Sequence, residues 1–114
     1  MSSYTKLLDE YANQIQRRLD ERTLMLISAL KMDLNYGPVT DNPDYPGFEP
    51  AIKEIGRSLK YVIPSTVYVS IDMGEILESR PPIEDSYLYA EVDRRTIYRH
   101  LLGAEVSNYI SPAL

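Results

Sequence analysis

The chain has a single histidine, His100, in the run Arg94-Arg95-Thr96-Ile97-Tyr98-Arg99-His100. A general base needs a carboxylate to orient it and a nucleophile or water to act on. Neither stands at a local spacing from His100, so a helix-surface histidine is expected. A small enzyme using His100 or a carboxylate pair is the alternative. Two acidic groups supply candidate pairs. Asp41, Asp44 and Glu49 lie in the run DNPDYPGFE. Their composition suits a hard cation, but a calcium loop needs ligands at alternate positions and a closing glutamate, and that spacing is missing. Asp72, Glu75 and Glu78 flank a turn. Carboxylate pairs serve hydrolysis only when a cleft holds them, and such pairs are common on surfaces. With no cysteine in the chain, disulfides, zinc-thiolate sites and cysteine nucleophiles are excluded. Glycine-rich phosphate loops, nucleophile elbows and HExxH runs are absent as well. The expected catalytic residues, metal ligands and cofactors are therefore none.

Binding chemistry is better represented. Arg94, Arg95 and Arg99 open an expected helix, where they suit an anion or an acidic partner surface. Arg17, Arg18 and Arg22 form a similar stripe near the N-terminus. Both stripes are short for tracking a phosphate backbone, and a solvated face with local ion pairs is the plainer reading. Ten tyrosines stand against one phenylalanine and no tryptophan. Tyr68, Tyr87 and Tyr89 share one face if their two segments pair as antiparallel strands. Tyrosine combines apolar area with a polar tip and is enriched at interfaces. Base stacking on that face conflicts with the acid around it: residues 65–93 carry seven acids and only Arg80 as a base. The whole chain has a net charge of −5, the wrong sign for gripping nucleic acid.

Several elements must position these groups. Residues 3–33 read as one long helix with Ser3 as N-cap, because Tyr4, Leu7, Leu8, Tyr11, Ala12, Ile15, Leu19, Leu26 and Leu30 recur at helical spacing. A helix of about 45 Å is too long for a compact small domain to cover. It therefore breaks near Asp20-Glu21-Arg22-Thr23, with Asp20 or Thr23 capping a second helix, or its end projects. Leu24 to Met32 is apolar nearly all round, which predicts burial on every side and hence a second subunit. Met25 and Met32 lie off the inner stripe and are expected to face that partner.

A loop from Asn35 to Glu49 follows, held extended by its prolines and pinned by Tyr36, Tyr45 and Phe48. A second helix starts at Pro50 and stops before Pro64, lined by Ile52, Ile55, Leu59 and Val62, with Gly56 allowing close packing against the first helix. Val67, Val69 and Ile71 alternate with polar residues in a strand over 65–72, and a second strand spans 86–92. Between them Ile76-Leu77 reads as a short strand or a helical turn. Asp93 caps a last helix, Arg94 to Tyr109, with a weak point at Gly103. Two strands alone are marginal, so the ribbon must pack on helices, find a third strand, or pair across a subunit edge.

The fold class is thus α+β: a long N-terminal amphipathic helix, a Pro-rich loop, a second helix, a small antiparallel β-ribbon or sheet, and a C-terminal helix. At 114 residues, 44% hydrophobic and 25% charged, the chain reads as a single domain, 1–114, able to bury a core. The longest apolar run falls well short of the roughly 20 residues that span a bilayer, and no signal peptide is legible. A soluble, intracellular protein is expected. In arrangement alone, the order of elements resembles that of small ring-forming neck and tail proteins of tailed phages; the resemblance implies a virion component, in host cytoplasm or virion. The functional expectation is a non-enzymatic structural or interaction subunit of a homo-oligomer or larger assembly. Its partners would be protein (itself or other subunits), with no membrane and no direct nucleic acid. The alternative is an acidic inhibitor whose 72–93 segment mimics nucleic acid in the basic cleft of an enzyme.

Overall fold

The computed structural model describes residues 3–71, 73–79 and 88–112. The order of elements is α1 (Ser3–Arg18), α2 (Glu21–Tyr36), α3 (Phe48–Val62), β1 (Thr66–Ser70), β2 (Ile76–Leu77), β3 (Tyr89–Asp93), α4 (Arg94–Leu102) and α5 (Ala104–Ser107). The α+β class is as expected, and of the two alternatives for residues 3–33 the break is the one found: they form two helices. Asp20 makes the break. Its backbone is extended, and its side chain accepts the N–H of Thr23 at 2.8 Å. That bond satisfies one of the donors a helix start leaves open. Of the two capping residues weighed for this break, Asp20 does the work, while Thr23 is buried and donates its hydroxyl to Ser58 Oγ at 3.1 Å. α2 ends past the expected Asp33, at Tyr36, where Gly37 adopts φ +93° and returns its N–H to the Asp33 carbonyl.

The two halves of the former long helix pack differently. α1 lies on α4, and α2 lies on α3 with α5 at its far end. Leu8, Tyr11, Ile15 and Leu19 from α1 and Leu26, Ile27 and Leu30 from α2 join one core with Ile55, Leu59, Ile63, Val67, Val69, Val92, Ile97, Tyr98 and Ile110. The protein's own elements therefore bury most of the apolar surface of α2, and all-round burial by a second subunit is not required. The molecule is elongated, 53 × 29 × 21 Å. Its radius of gyration is 15.6 Å, against about 13 Å for a compact domain of this size.

The loop is shorter than expected, 37–47, because α3 starts at Phe48 with Gly47 before it. Its aromatics pin it as anticipated. Tyr45 is buried and donates its hydroxyl to Asp33 Oδ2 at 2.7 Å, and Phe48 meets Tyr109 edge-on with centroids 5.3 Å apart. Tyr36 does not take part; it is 81% exposed. Gly56 is buried, but not for the expected close approach to the first helix, since no atom of α1 or α2 lies within 4 Å of a β-carbon built there. A β-carbon there would meet Ile110 Cγ2 at 3.8 Å, ordinary contact. Gly56→Ala therefore gains helix propensity without a clash and is expected to stabilise the protein by about 1 kcal/mol, read as a rise in the midpoint of urea unfolding.

The sheet has three strands in the order β2-β1-β3, all antiparallel to their neighbours. The third strand is Ile76–Leu77, paired with Val69 and Tyr68, so the ribbon needs no subunit edge to complete it. Val67 opposes Val92 and Val69 opposes Ala90 on the core side; Tyr68 opposes Glu91 and Ser70 opposes Tyr89 on the other. Asp93 caps α4 as expected, accepting the N–H of Thr96 at 3.0 Å. Gly103, at φ +88°, divides the expected last helix into α4 and α5.

Three tyrosines set the alkaline limit of this fold. Burial pushes the phenol of Tyr11 up to about 12, with the nearby Glu78 carboxylate adding to the effect. Burial likewise raises Tyr98, and burial with the Asp33 carboxylate raises Tyr45. The unfolded chain releases these protons near the ordinary phenol value of about 10, whereas the folded chain holds them longer. The stability they contribute is therefore fully present below about pH 10 and lost as pH climbs toward the folded values. Tyrosinate absorbance during an alkaline titration should show a late group that ionises together with the loss of far-ultraviolet circular dichroism.

Candidate interaction surface

The structure gives His100 the carboxylate that its sequence neighbourhood lacks. Asp9 on α1 meets His100 on α4, with Oδ1 2.6 Å from Nδ1. The histidine side chain is 21% exposed and the aspartate 48%. No local signal pairs residues 9 and 100; the packing of α1 on α4 does. The contact orients the imidazole and clamps the two helices. Neither residue lines the grooves at Val69 and Ala90, at Leu34 and Val106, at Leu19 and Arg57, or at Met25 and Val39.

The three arginines of α4 do not form one surface. Arg94 is 7% exposed. Its Nε donates to the Ile63 carbonyl at 2.9 Å and its Nη2 to the Lys60 carbonyl at 3.3 Å. The expectation that Arg94 meets an external anion is corrected: its fork serves the C-terminal carbonyls of α3, which a helix end leaves open. Arg95 and Arg99 remain exposed. The stripe on α1 and α2 is similarly dispersed. Arg18 pairs with Glu78 at 2.7 Å. Arg22 grips Glu54 through Nε and Nη2, and this bond holds the Glu54 carboxyl below the usual range.

Asp41, Asp44 and Glu49 are all exposed. Among the described residues, no group of three or more histidines, cysteines, aspartates or glutamates is placed to hold a metal ion. Glu75 accepts the Tyr89 hydroxyl at 3.0 Å, and Glu78 is taken by Arg18. Asp72 lies outside the described residues. The register puts Tyr68 and Tyr89 on one face of the sheet with Leu77 and Glu91, as the alternation predicted. Tyr87 also lies outside the described residues.

α2 presents the other candidate surface. Met25 is half-buried and packs against the core, whereas Met32 is 52% exposed. Ser28 and Ala29 lie between them, and Tyr36 continues the line one turn on; this side of the helix is exposed at Met32 and Tyr36 and turns into the core at Ala29 and Met25. Beside this edge, α2 and loop 37–47 enclose a groove of about 450 Å³ lined by Met25, Ser28, Ala29, Met32, Val39, Asp41, Asn42 and Pro43. Sequence reasoning expected both methionines to face outward; Met32 is exposed, but Met25 packs against the core. It missed the loop side of the groove, and it missed Tyr61, 93% exposed near the end of α3. Tyr61 carries a readable signal: it falls on the line Lys53-Arg57-Tyr61, four residues apart, opposite the apolar face of α3.

No helix of the described residues is long and apolar enough to cross a membrane. No known family model, no curated protein and no solved structure matches this chain.

Proposed function

We propose that the protein is a non-enzymatic structural subunit that assembles with copies of itself, alone or within a larger protein assembly, through the outer edge of α2. The observation that carries this reading is the exposed line of Met32 and Tyr36 beside a groove floored by two methionines. Large apolar side chains in a contiguous exposed patch are what partners cover, and methionine adapts to an imperfect fit. The order of elements further suggests a small component of a virion neck or tail, an analogy of arrangement alone. A soluble setting, host cytoplasm or virion, and partners that are protein rather than nucleic acid accompany the reading.

The test is Met32→Asp, measured by sedimentation at several protein concentrations and by far-ultraviolet circular dichroism. Met32 is the cleaner position, because Met25 also packs inward and a charge there would strain the fold itself. A carboxylate in a desolvated contact costs several kcal/mol when nothing compensates it, while on an exposed helix edge it costs less than about 0.5 kcal/mol. The expected result is a wild type that self-associates and a variant that is equally helical but has the mass of one chain. A wild type that stays monomeric at high concentration, with no partner subunit, would count against the proposal. A variant of unchanged mass would remove α2 from the interface.

A further inference from the structure

We infer that the contact between copies joins unlike surfaces, with the outer face of α3 on one copy entering the groove between α2 and loop 37–47 on the next. This rests on the self-association proposed above and names the two surfaces that meet. The groove has an apolar floor, Met25, Met32, Val39 and Pro43, and one carboxylate at its rim, Asp41. Asp41 is exposed, and no ion pair among the described residues involves it.

The outer face of α3 is its complement. Lys53, Arg57 and Tyr61 stand on one exposed line of the helix. Arg57 lies near Glu54, but both Glu54 oxygens are already bound by Arg22. The positive charge of Arg57 therefore has no ion-paired carboxylate among the described residues, and neither has that of Lys53. Tyr61, 93% exposed, offers a flat ring of the kind that packs well against methionine sulfur. One surface thus has an apolar floor with a carboxylate, and the other an apolar knob with two cations, none of the three in an ion pair among the described residues.

Charge also decides which surfaces meet. A two-fold contact that used either surface alone would set Asp41 against Asp41, or the α3 cations against one another. Such like-charge contacts are unfavourable. A contact between the two different surfaces sets opposite charges together. Made once per pair, that contact repeats into a ring or filament; made twice about a two-fold axis, groove to α3 and α3 to groove, it closes a dimer.

A charge swap tests this. One variant carries Lys53→Glu with Arg57→Glu; the other carries Asp41→Lys. All three positions are exposed, so both variants should retain the wild-type circular dichroism. Each alone is expected to sediment as a single chain, and an equimolar mixture to recover the wild-type mass, because reversed α3 then meets a reversed groove. If either variant keeps the wild-type mass, or if mixing restores nothing, the α3-to-groove contact is wrong. Should a charge-reversed variant unfold, the neutral changes Arg57→Gln and Asp41→Asn replace it, each expected to weaken self-association about tenfold; no weakening overturns the contact. Met32→Asp separates the two levels. If it dissociates the protein while the swap variants stay assembled, self-association through α2 stands and the α3-to-groove pairing falls. A monomeric wild type removes both.

Discussion

Leu30→Ala is expected to lower stability by about 3 kcal/mol, while Met32→Ala, two residues along the same helix, is expected to change it by less than about 0.5 kcal/mol. Leu30 is fully buried, and Met32 is 52% exposed. Truncating Leu30 removes apolar area from the core and leaves a void that packed neighbours close only in part. Those neighbours come from several elements: α3, α5 and the loop all pack near α2. Met32 leaves no void inside one chain. Urea unfolding at a concentration where the protein is monomeric would measure both. The contrast decides how α2 divides its apolar surface. If Met32→Ala also cost several kcal/mol in the monomer, α2 would be buried on both sides by its own chain and the outer edge would not be an interaction surface.

The second large effect is at Arg94. Replacing it with methionine is expected to cost about 2 to 3 kcal/mol, and replacing it with lysine to cost about as much. Two terms compete. Hydrogen bonds from a charged donor contribute about 1.5–3 kcal/mol each, and Arg94 makes two, to the carbonyls of Ile63 and Lys60. Against this, a guanidinium out of water carries a desolvation cost. Arg94 pairs with no carboxylate among the described residues, and its Nη1 is buried without a hydrogen-bond partner there. The net value is therefore below that of two unopposed charged bonds, yet positive, because methionine would strand two carbonyls at the end of α3. Lysine keeps the charge but lacks the planar fork that reaches both acceptors. Chemical denaturation of the two variants measures this. A methionine variant as stable as wild type would mean that desolvation cancels the bonds, and that Arg94 was retained for something other than stability.

Much of the architecture was legible locally. Helical spacing marked α1 and α3, alternation marked β1 and β3, and the caps at Asp20 and Asp93 and the breaker at Gly103 stand where short-range rules put them. These signals work because a cap or a period acts within one turn or one strand. Two arguments for a second subunit did not survive in their first form. The apolar wrap of α2 reads from the sequence as surface needing a partner, but α3 and α5 cover most of it, leaving only the edge at Met32 and Tyr36. The ribbon that seemed to lack a neighbour has one in Ile76–Leu77, two residues being too few to show a period.

By itself, then, the amino-acid order determined the class of fold, the types of most elements, the exclusion of cysteine chemistry and the shared face of Tyr68 and Tyr89. Only tertiary structure decided which polar groups are committed and which stay free. Arg94, Arg95 and Arg99 are equivalent as letters. α4 packs so that the first meets the carbonyl end of α3 while the other two face water. His100 acquires Asp9 across 91 positions of chain, and Arg22 takes both oxygens of Glu54, leaving Arg57 outside the ion pairs of the described residues. The physical reason is one of range. Hydrophobic periodicity and capping are settled among neighbours along the chain, whereas a charge is satisfied by whatever stands within a few ångströms in space, and that is fixed only when the helices have docked.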